Sequence, residues 1–239
     1  MSIDVNRRFY REAAIISDDA GWRITLDGKV VKTPARNALL LTTQALADAI
    51  AAEWNAQDTK IKPDTMPLMQ IASTAIDRVA PDRARIIAET AGYAATDLVC
   101  YRADGPAELV TRQAAAWDPL IDWLRERYDV SLQTVSGVMA IPQSDQALAA
   151  LTRAVAAQDN LRLTALAVIT GASGSLAIGL AVLEGRIGPE AAAEAAQLDE
   201  LFQAERWGSD PEAERRRAAQ KSDLVAARRF LDLLATGTA

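Results

Sequence analysis

The strongest local pattern is Trp22-Arg-Ile-Thr-Leu-Asp-Gly-Lys-Val-Val-Lys32. Apolar and polar residues alternate from Trp22 to Leu26, which is the period-two pattern of a half-buried β-strand. Asp27-Gly28 follows with the residues of a tight hairpin turn, because glycine readily adopts a positive φ. Residues 30–32 would then return antiparallel to the first strand. The segment therefore predicts a small antiparallel sheet.

Residues on both sides of this hairpin extend the predicted sheet and add a helix. We expect a partner strand over residues 10–17 and a fourth strand over residues 38–41. Thr43 is a suitable N-cap for the helix that follows. Four residues share one face of that helix at helical spacing: Leu46, Ile50, Trp54 and Gln57. The helix should pack on the sheet and complete a two-layer unit.

Beyond Lys62-Pro63 the strand-like alternation ends and helical patterns dominate. The predicted helices cover residues 68–79, 83–95, 108–128, 144–158, 161–184, 189–207 and 211–235. Prolines fall in first turns or between helices, at Pro67, Pro81, Pro119, Pro189 and Pro211. We therefore predict an α+β fold with two domains. Residues 1–80 form a small α+β domain, and residues 81–239 form a larger all-α domain.

Composition argues against several classes of function. The chain has 239 residues, a formal net charge of -6 and a pI near 4.9, so it offers no general attraction to nucleic-acid phosphates. It contains no histidine, the usual general base and commonest metal ligand. Cys100 is the single cysteine, so neither an internal disulfide nor a cysteine zinc site can form. We predict no cofactor and no bound metal, and a reducing cytosol fits best.

An uncharged run from Leu163 to Leu183 is long enough to span a bilayer. Gly171-Ala-Ser-Gly-Ser175 interrupts this run, and its flanks lack aromatic belts and a marked Lys/Arg bias. We therefore favour one apolar helix, or two helices joined near Gly171, in the centre of the helical domain. A phosphate-binding loop is disfavoured because no lysine follows Gly174.

A few residues remain as candidates for chemistry. Asp199, Glu200 and Glu205 could act as acid and base or bind a divalent cation, and a solvated helix face is the competing interpretation. Cys100 lies among apolar residues without a basic neighbour, so a packed structural thiol is favoured over a nucleophile. Trp54 with Glu53 fits either domain packing or a binding surface.

The segment near the C-terminus that ends a helical pattern is unusual in composition. It reads Leu198-Asp-Glu-Leu-Phe-Gln-Ala-Glu-Arg-Trp-Gly208. Carboxylates, an amide and an indole come directly before a glycine that stops the helix. Core helices seldom end in this way, so we take the segment as a candidate functional surface.

Seven short strings occur in an order that is typical of one protein family. They are Arg8-Phe-Tyr-Arg11, Leu26-Asp-Gly-Lys29 with Val31-Lys-Thr-Pro34, Glu53-Trp54 with Gln57, Met66-Pro-Leu68 with Thr74-Ala-Ile-Asp77, Thr96-Asp-Leu98 with Cys100-Tyr-Arg102, Trp117-Asp-Pro119, and Leu198-Asp-Glu200 with Gln203 and Trp207-Gly208. Together they resemble the assembly-chaperone family for the alpha subunit of F-type ATP synthase, of the mitochondrial complex assembly factor 2 type. The resemblance extends over nearly the whole chain.

This resemblance implies an N-terminal α+β domain, a larger orthogonal helical bundle and no catalytic activity. It implies that the chain binds the unassembled alpha subunit, shields its beta-facing interface from aggregation and is displaced by beta. No nucleic acid, small-molecule substrate or stable membrane insertion is expected, and the chain should act as a monomer. The best-known relatives are mitochondrial with a presequence, whereas this chain starts close to Arg8, so we expect a bacterial cytoplasmic member.

The resemblance also points to an acidic residue near Trp207-Gly208, for which Glu205 is the first choice and Glu200 the second. The predicted partner-binding residues are Glu205, Glu200, Trp207, Gln203, Phe202, Asp210, Trp54 and Glu53. Trp207 and Phe202 would be the apolar anchors, although packing of Trp207 against the Gly171 region explains the indole equally well. A metal-dependent enzyme that uses Asp199, Glu200 and Glu205 is the alternative function.

Overall fold

The computed structural model describes residues 7–137, 139 and 141–236. These residues form two compact units. The N-terminal unit contains residues 7–83 and 229–236, and the helical unit contains residues 84–228. A three-stranded antiparallel sheet accompanied by many helices confirms the predicted α+β class. The predicted division into an α+β domain over residues 1–80 and an all-α domain over residues 81–239 stays a prediction.

The N-terminal sheet contains three strands, β1 (Ala13–Asp18), β2 (Gly21–Leu26) and β3 (Lys29–Val30), which pair antiparallel in that order. The turn between β2 and β3 has left-handed backbone at both central residues, with φ of 47° at Asp27 and 81° at Gly28. Two such residues are typical of the hairpin turn that matches the twist of a sheet. The predicted hairpin is confirmed.

The first strand begins later than predicted, at Ala13 rather than at residue 10. The backbone amides of Arg11 and Glu12 donate to the carboxylate of Asp27, each at 3.0 Å. Because these amides are bound to a side chain of the hairpin turn, the chain joins the regular ladder only after them. The prediction was wrong in its starting residue.

The predicted fourth strand over residues 38–41 is also wrong. This segment makes isolated bridges, Ala38 with Lys32 and Leu41 with Trp22. Residues 33–37 form a turn in which Thr33 and Asn37 donate side-chain hydrogen bonds to Asp77, at 2.7 and 2.9 Å. Ala38 and Leu41 thus pair with residues of different segments, and residues 38–41 form no continuous ladder.

One helix packs on the sheet as predicted. It is α1 (Gln44–Asn55), which contacts β1 and β2, and Thr43 caps it by accepting a hydrogen bond from the Leu46 amide at 3.3 Å. The core between these layers consists of fully buried aliphatic side chains: Ile24, Leu39, Leu41, Leu46 and Ile50. A second helix, α2 (Pro67–Thr74), continues into a π-helical turn over Ala75–Val79.

The helical unit is built mainly from eight further helices in the described chain. They are α3 (Arg83–Gly92), α4 (Ala107–Tyr128), α5 (Asp145–Ala156), α6 (Asn160–Ser173), α7 (Leu176–Leu183), α8 (Pro189–Ala196), α9 (Leu198–Trp207) and α10 (Pro211–Ala235). A short parallel pair, β4 (Tyr101–Arg102) and β5 (Val135–Ser136), accompanies them. Residues of α10 from 229 onward belong to the N-terminal unit.

Two predicted helices are each divided in two. The uncharged run contains α6 and α7, because Gly174 adopts φ of 70° and Ser175 caps α7 by accepting a hydrogen bond from the Ile178 amide at 3.0 Å. This confirms the two-helix alternative, with the break three residues after Gly171. The other division falls at Gln197, whose side chain donates to the Arg217 carbonyl at 2.9 Å. Within the described ranges, no helix is both long and apolar enough to cross a membrane.

Pro119 lies inside α4, and the prediction that it would stand in a first turn or between helices is wrong. Proline has no N–H, so α4 lacks one backbone hydrogen bond at this position. The surrounding turns bury a large apolar face, formed by Trp117, Leu120, Ile121 and Leu124. Burial of this face offsets the missing hydrogen bond, so packing overrides the local preference of proline.

Candidate functional site

A three-residue connection, residues 208–210, links α9 to α10. Gly208 ends α9 with φ of 88°, and its amide donates to the Ala204 carbonyl at 2.9 Å. The Asp210 carboxylate then accepts hydrogen bonds from the amides of Glu212 and Ala213, at 3.0 and 2.9 Å. Asp210 therefore caps α10, and it has a structural role in addition to its predicted role in binding.

A cleft of about 460 Å³ lies between α9 and α10. Among the residues that line it are Glu200, Gln203, Trp207, Asp210 and Arg216. The structure thus brings four of the predicted binding residues to one concave surface, which we call the α9–α10 cleft. Its charged lining and single large apolar side chain are the properties of a polar contact surface.

Trp207 is the most exposed tryptophan side chain of the described chain, at 77%. It does not pack against the Gly171 region. A β-carbon added at Gly171 would approach the Tyr93 hydroxyl at 4.0 Å, and no atom of Trp207 lies that close. The packing alternative for Trp207 is therefore wrong. A large exposed indole on the rim of a cleft is typical of a binding surface, since tryptophan is usually well buried.

Phe202 differs from Trp207, because its side chain is only 2% exposed. The guanidinium groups of Arg112 and Arg206 lie over its ring, 5.3 and 4.4 Å from the centroid. A partner therefore cannot contact this ring directly while the two arginines cover it. Phe202 holds the two arginines in place by cation–π contacts. Its ring has almost no exposed surface with which to serve as the predicted apolar anchor.

Glu205 belongs to a chain of ion pairs between α4 and α9. Arg112 pairs with Glu205 at 2.7 Å and with Glu108 at 2.8 Å, and Arg206 pairs with Glu108 at 2.8 Å. The hydrogen bond from Arg206 is the main cause that lowers the pKa of Glu108, and the hydrogen bond to Glu205 raises the pKa of Arg112. Through Arg112, Glu205 helps to hold α9 against α4.

Glu200 faces the other side of α9, toward α10. Its carboxylate lies 3.1 Å from a guanidinium nitrogen of Arg216 and 3.6 Å from one of Arg217. Asp199 instead accepts a hydrogen bond from the buried Gln113 amide at 2.7 Å. The three carboxylates of the metal-enzyme alternative therefore point to three different partners. Across the described residues, no group of three or more His, Cys, Asp and Glu could hold a metal ion.

The remaining two predicted residues lie in the N-terminal unit. The Glu53 carboxylate accepts hydrogen bonds from the Leu68 and Met69 amides, at 2.8 and 2.9 Å, and so caps α2. Its burial raises the pKa, against the lowering effect of these two bonds. Trp54 is half-buried, and its indole N–H has no hydrogen-bond partner. Glu53 therefore has a structural role, while the Trp54 indole N–H is buried and unpaired.

Sequence reasoning missed the arginines that organise α9. Glu108 and Arg112 are four residues apart on α4, which is the spacing of a helical ion pair. The ion pair between Glu108 and Arg112 could therefore have been predicted from the sequence. Nothing in the sequence indicated that Arg112 would also reach Glu205, since 93 residues separate them.

An exposed indole among ion-paired side chains is typical of proteins that bind other proteins. The model of the ATP12 chaperone protein family matches residues 7–125. The crystal structure of Atp12 from Paracoccus denitrificans superposes with a TM-score of 0.91 at 42% identity, covering 96% of this chain and 98% of that one. The chain belongs to the ATP12 chaperone family, which confirms the predicted resemblance and the expectation of a chaperone rather than an enzyme.

Two further relatives agree with this assignment. The crystal structure of the Atu1473 protein from Agrobacterium tumefaciens superposes with a TM-score of 0.91 at 37% identity, covering 95% of this chain and 86% of that one. The mitochondrial protein atp12 of Schizosaccharomyces pombe is 22% identical over 215 residues, or 85% of this chain and 74% of that protein. The similarity thus includes both bacterial and mitochondrial proteins.

Proposed function

We propose that this chain is an assembly chaperone for F-type ATP synthase that binds the unassembled alpha subunit and is displaced by beta. Membership of the ATP12 chaperone family supports the general role. The main support for binding of the alpha subunit is the α9–α10 cleft, where the exposed Trp207 lies beside charged side chains. The two bacterial relatives support action in a bacterial cytoplasm.

The polar character of this surface suits a temporary partner. An alpha subunit without beta exposes an apolar interface, and such interfaces aggregate unless they are covered. A contact with one indole anchor and a charged rim binds specifically but is readily replaced by a larger partner. Trp207 would supply the apolar anchor, and Glu200 and Glu205 would supply the negative charge.

The predicted binding residues divide by role on this proposal. We assign direct contact with the alpha subunit to four residues of α9 that are exposed or half-exposed: Glu200, Gln203, Glu205 and Trp207. Phe202 and Asp210 act indirectly, since the first supports the arginines over its ring and the second caps α10. In the N-terminal unit, Glu53 acts through the position of α2.

The test is reconstitution with purified subunits. Size exclusion with light scattering should detect a one-to-one complex with isolated alpha, lower alpha aggregation and release of the chain when beta is added. Trp207→Ala should weaken the complex at least tenfold and leave the melting temperature unchanged, because truncation of an interface hot spot costs about 2 kcal/mol or more. The absence of any complex with alpha would contradict the proposal.

A matched control removes another exposed apolar side chain from the helical unit. Met139 is 75% exposed, close to the exposure of Trp207. Met139→Ala should bind alpha as the wild type does. Equal weakening by both substitutions would mean that general surface hydrophobicity, rather than the α9–α10 cleft, carries the interaction.

A further inference from the structure

A second cleft, in the N-terminal unit, is mainly apolar, and two of its lining residues each carry a buried polar atom without a partner. Its volume is about 420 Å³, within the range of about 300–1,000 Å³ that is usual for ligand pockets. Trp54, Ile61, Met66 and Met69 form much of its wall, and the exposed Lys32 also lines it. We call it the Trp54 cleft.

The two unpaired atoms are the indole nitrogen of Trp54 and the hydroxyl oxygen of Ser73. Both residues line this cleft, and Ser73 is only 7% exposed. A buried polar group without a hydrogen-bond partner destabilises the folded chain. Of the four such side-chain atoms in the described chain, two belong to residues that line this cleft. Both atoms are buried, so an acceptor that reached either one from the cleft would supply the missing partner.

The walls of the Trp54 cleft are fixed by contacts outside it. The Tyr10 hydroxyl donates to the Trp54 carbonyl at 2.6 Å, and the two rings meet edge to face at 5.6 Å. The Glu53 carboxylate binds the first amides of α2, which positions Met69 and Ser73 on that helix. A cleft held in this way loses little conformational freedom when it binds.

We propose that the Trp54 cleft binds an extended segment of an unassembled client protein. An apolar side chain of the segment fills the cleft, a main-chain carbonyl accepts a hydrogen bond from the Trp54 indole, and a neighbouring acidic residue pairs with Lys32. The alpha subunit as the client rests on the proposed function; the recognition chemistry follows from the cleft.

The lining favours a peptide over other ligands. A peptide presents a carbonyl within a few ångströms of an apolar side chain, which matches the spacing of one donor beside an apolar wall. Flexible methionines such as Met66 and Met69 adapt to different side chains, as in surfaces that bind many sequences. Lys32 is the charged residue of the lining and selects an acidic neighbour by charge complementarity.

The first test uses overlapping 13-residue peptides that span the alpha subunit, immobilised and probed with the full chain. The strongest signals should come from peptides with an apolar residue next to Asp or Glu. Lys32→Glu should shift the preference toward Lys or Arg beside the apolar residue. Trp54→Phe should weaken the best peptide about three- to tenfold by fluorescence polarisation, the usual value of one hydrogen bond.

Two tryptophan substitutions form a matched pair. Thr74 is exposed and lines the cleft, so Thr74→Trp should fill it and abolish peptide binding without unfolding the chain. Ala52 is exposed on α1 and does not line the cleft, so Ala52→Trp should bind as the wild type does. Melting temperatures of both variants check the fold.

The outcomes separate this proposal from the proposed function. Peptide binding that Thr74→Trp leaves unchanged, or an array without signals, would overturn the cleft assignment even if intact alpha still forms a complex. If the wild-type chain self-associates and Thr74→Trp, but not Ala52→Trp, abolishes this, the occupant of the cleft is a second copy of the chain. That result would also overturn the proposal of a client segment. Peptide binding lost in Thr74→Trp supports the cleft, and if intact alpha then forms no complex, only the proposed function fails.

Discussion

Arg112 on α4 and Glu205 on α9 form an ion pair of 2.7 Å between two helices of the helical unit. Both side chains are about half exposed, at 41% and 54%. The predicted binding residue Glu205 therefore already has an intramolecular partner. A client that competes for Glu205 must replace this ion pair, and a variant at Glu205 changes both the surface charge and the contact between α4 and α9.

Glu205→Gln should separate these two effects. The amide oxygen can still accept a hydrogen bond from Arg112, so the free energy of unfolding should fall by less than about 1 kcal/mol, as expected for an exposed pair. Affinity for the alpha subunit should fall by more, because the negative charge is lost. Glu205→Lys removes more binding but also places a second cation beside Arg112. Calorimetry of unfolding and of binding measures both quantities.

The control for this prediction is an ion pair of similar exposure elsewhere in the helical unit. Arg85 and Glu89 pair at 2.7 Å on α3, with Glu89 57% exposed. Glu89→Gln should change stability as little as Glu205→Gln and leave alpha binding unaltered. If Glu205→Gln binds alpha with wild-type affinity, Glu205 is not a contact residue.

Cys100 should be inert as a thiol in the folded chain. Its side chain is fully buried, and burial together with the nearby charge of Asp97 raises the pKa to about 12, against the opposite effect of Arg102. Since the thiolate is the reactive form, a thiol reagent at pH 8 should label the native protein at least a hundredfold more slowly than the protein in guanidinium chloride. Rapid stoichiometric labelling of the native state would contradict the predicted structural role.

Short-range patterns predicted the fold best. The Asp27-Gly28 hairpin, the Thr43 cap and the bounds of α10 all follow from residues within a few positions of one another. The break at Gln197 was harder to predict from the sequence, because the alanine-rich segment before it favours a continuous helix. Gln197 acts through Arg217, whose position next to it depends on tertiary packing.

Long-range contacts explain what the sequence could not reveal about the sites. Asp97 is fully buried, and its carboxylate accepts hydrogen bonds from the Val99 and Ala177 amides, at 3.2 and 3.0 Å. The sequence showed Asp97 only as part of a family string, since its second partner lies 80 residues away. The contact of Arg112 with the Phe202 ring was likewise unpredictable from the sequence, because the two residues are far apart in the chain. The α9–α10 cleft was predictable because its residues lie close together in the chain.

Asp77 should make stability depend on pH in the acid range. Although desolvation raises its pKa, hydrogen bonds from Thr33, Ala35 and Asn37 outweigh this effect and lower the pKa below its ordinary value of 3.8. A lowered pKa stabilises the fold above pH 3.8, and the effect is lost as pH falls through the folded value. Asp77→Asn should therefore lower the melting temperature at pH 7, and the difference from the wild type should shrink toward pH 3.

The comparison across pH is the informative part of that experiment, because other carboxylates also titrate in this range. Their contribution is common to the wild type and to Asp77→Asn, so it cancels in the difference between the two melting curves. Thr33→Val removes one of the donors and should reduce the same pH dependence in part. A difference that stays constant from pH 7 to pH 3 would mean that Asp77 contributes through packing alone.

Gly179 should resist substitution because α6 and α7 approach closely at this position. A β-carbon at Gly179 would collide with the Thr170 hydroxyl and lie 3.1 Å from a Leu166 methyl group. Gly179→Ala should therefore destabilise the chain by about 1–3 kcal/mol through overpacking, although alanine favours helix by about 1 kcal/mol. Thr170→Ala removes the colliding hydroxyl, which has no hydrogen-bond partner. The double variant should recover most of the lost stability in thermal unfolding, and a purely additive loss would show that the two residues do not compete for space.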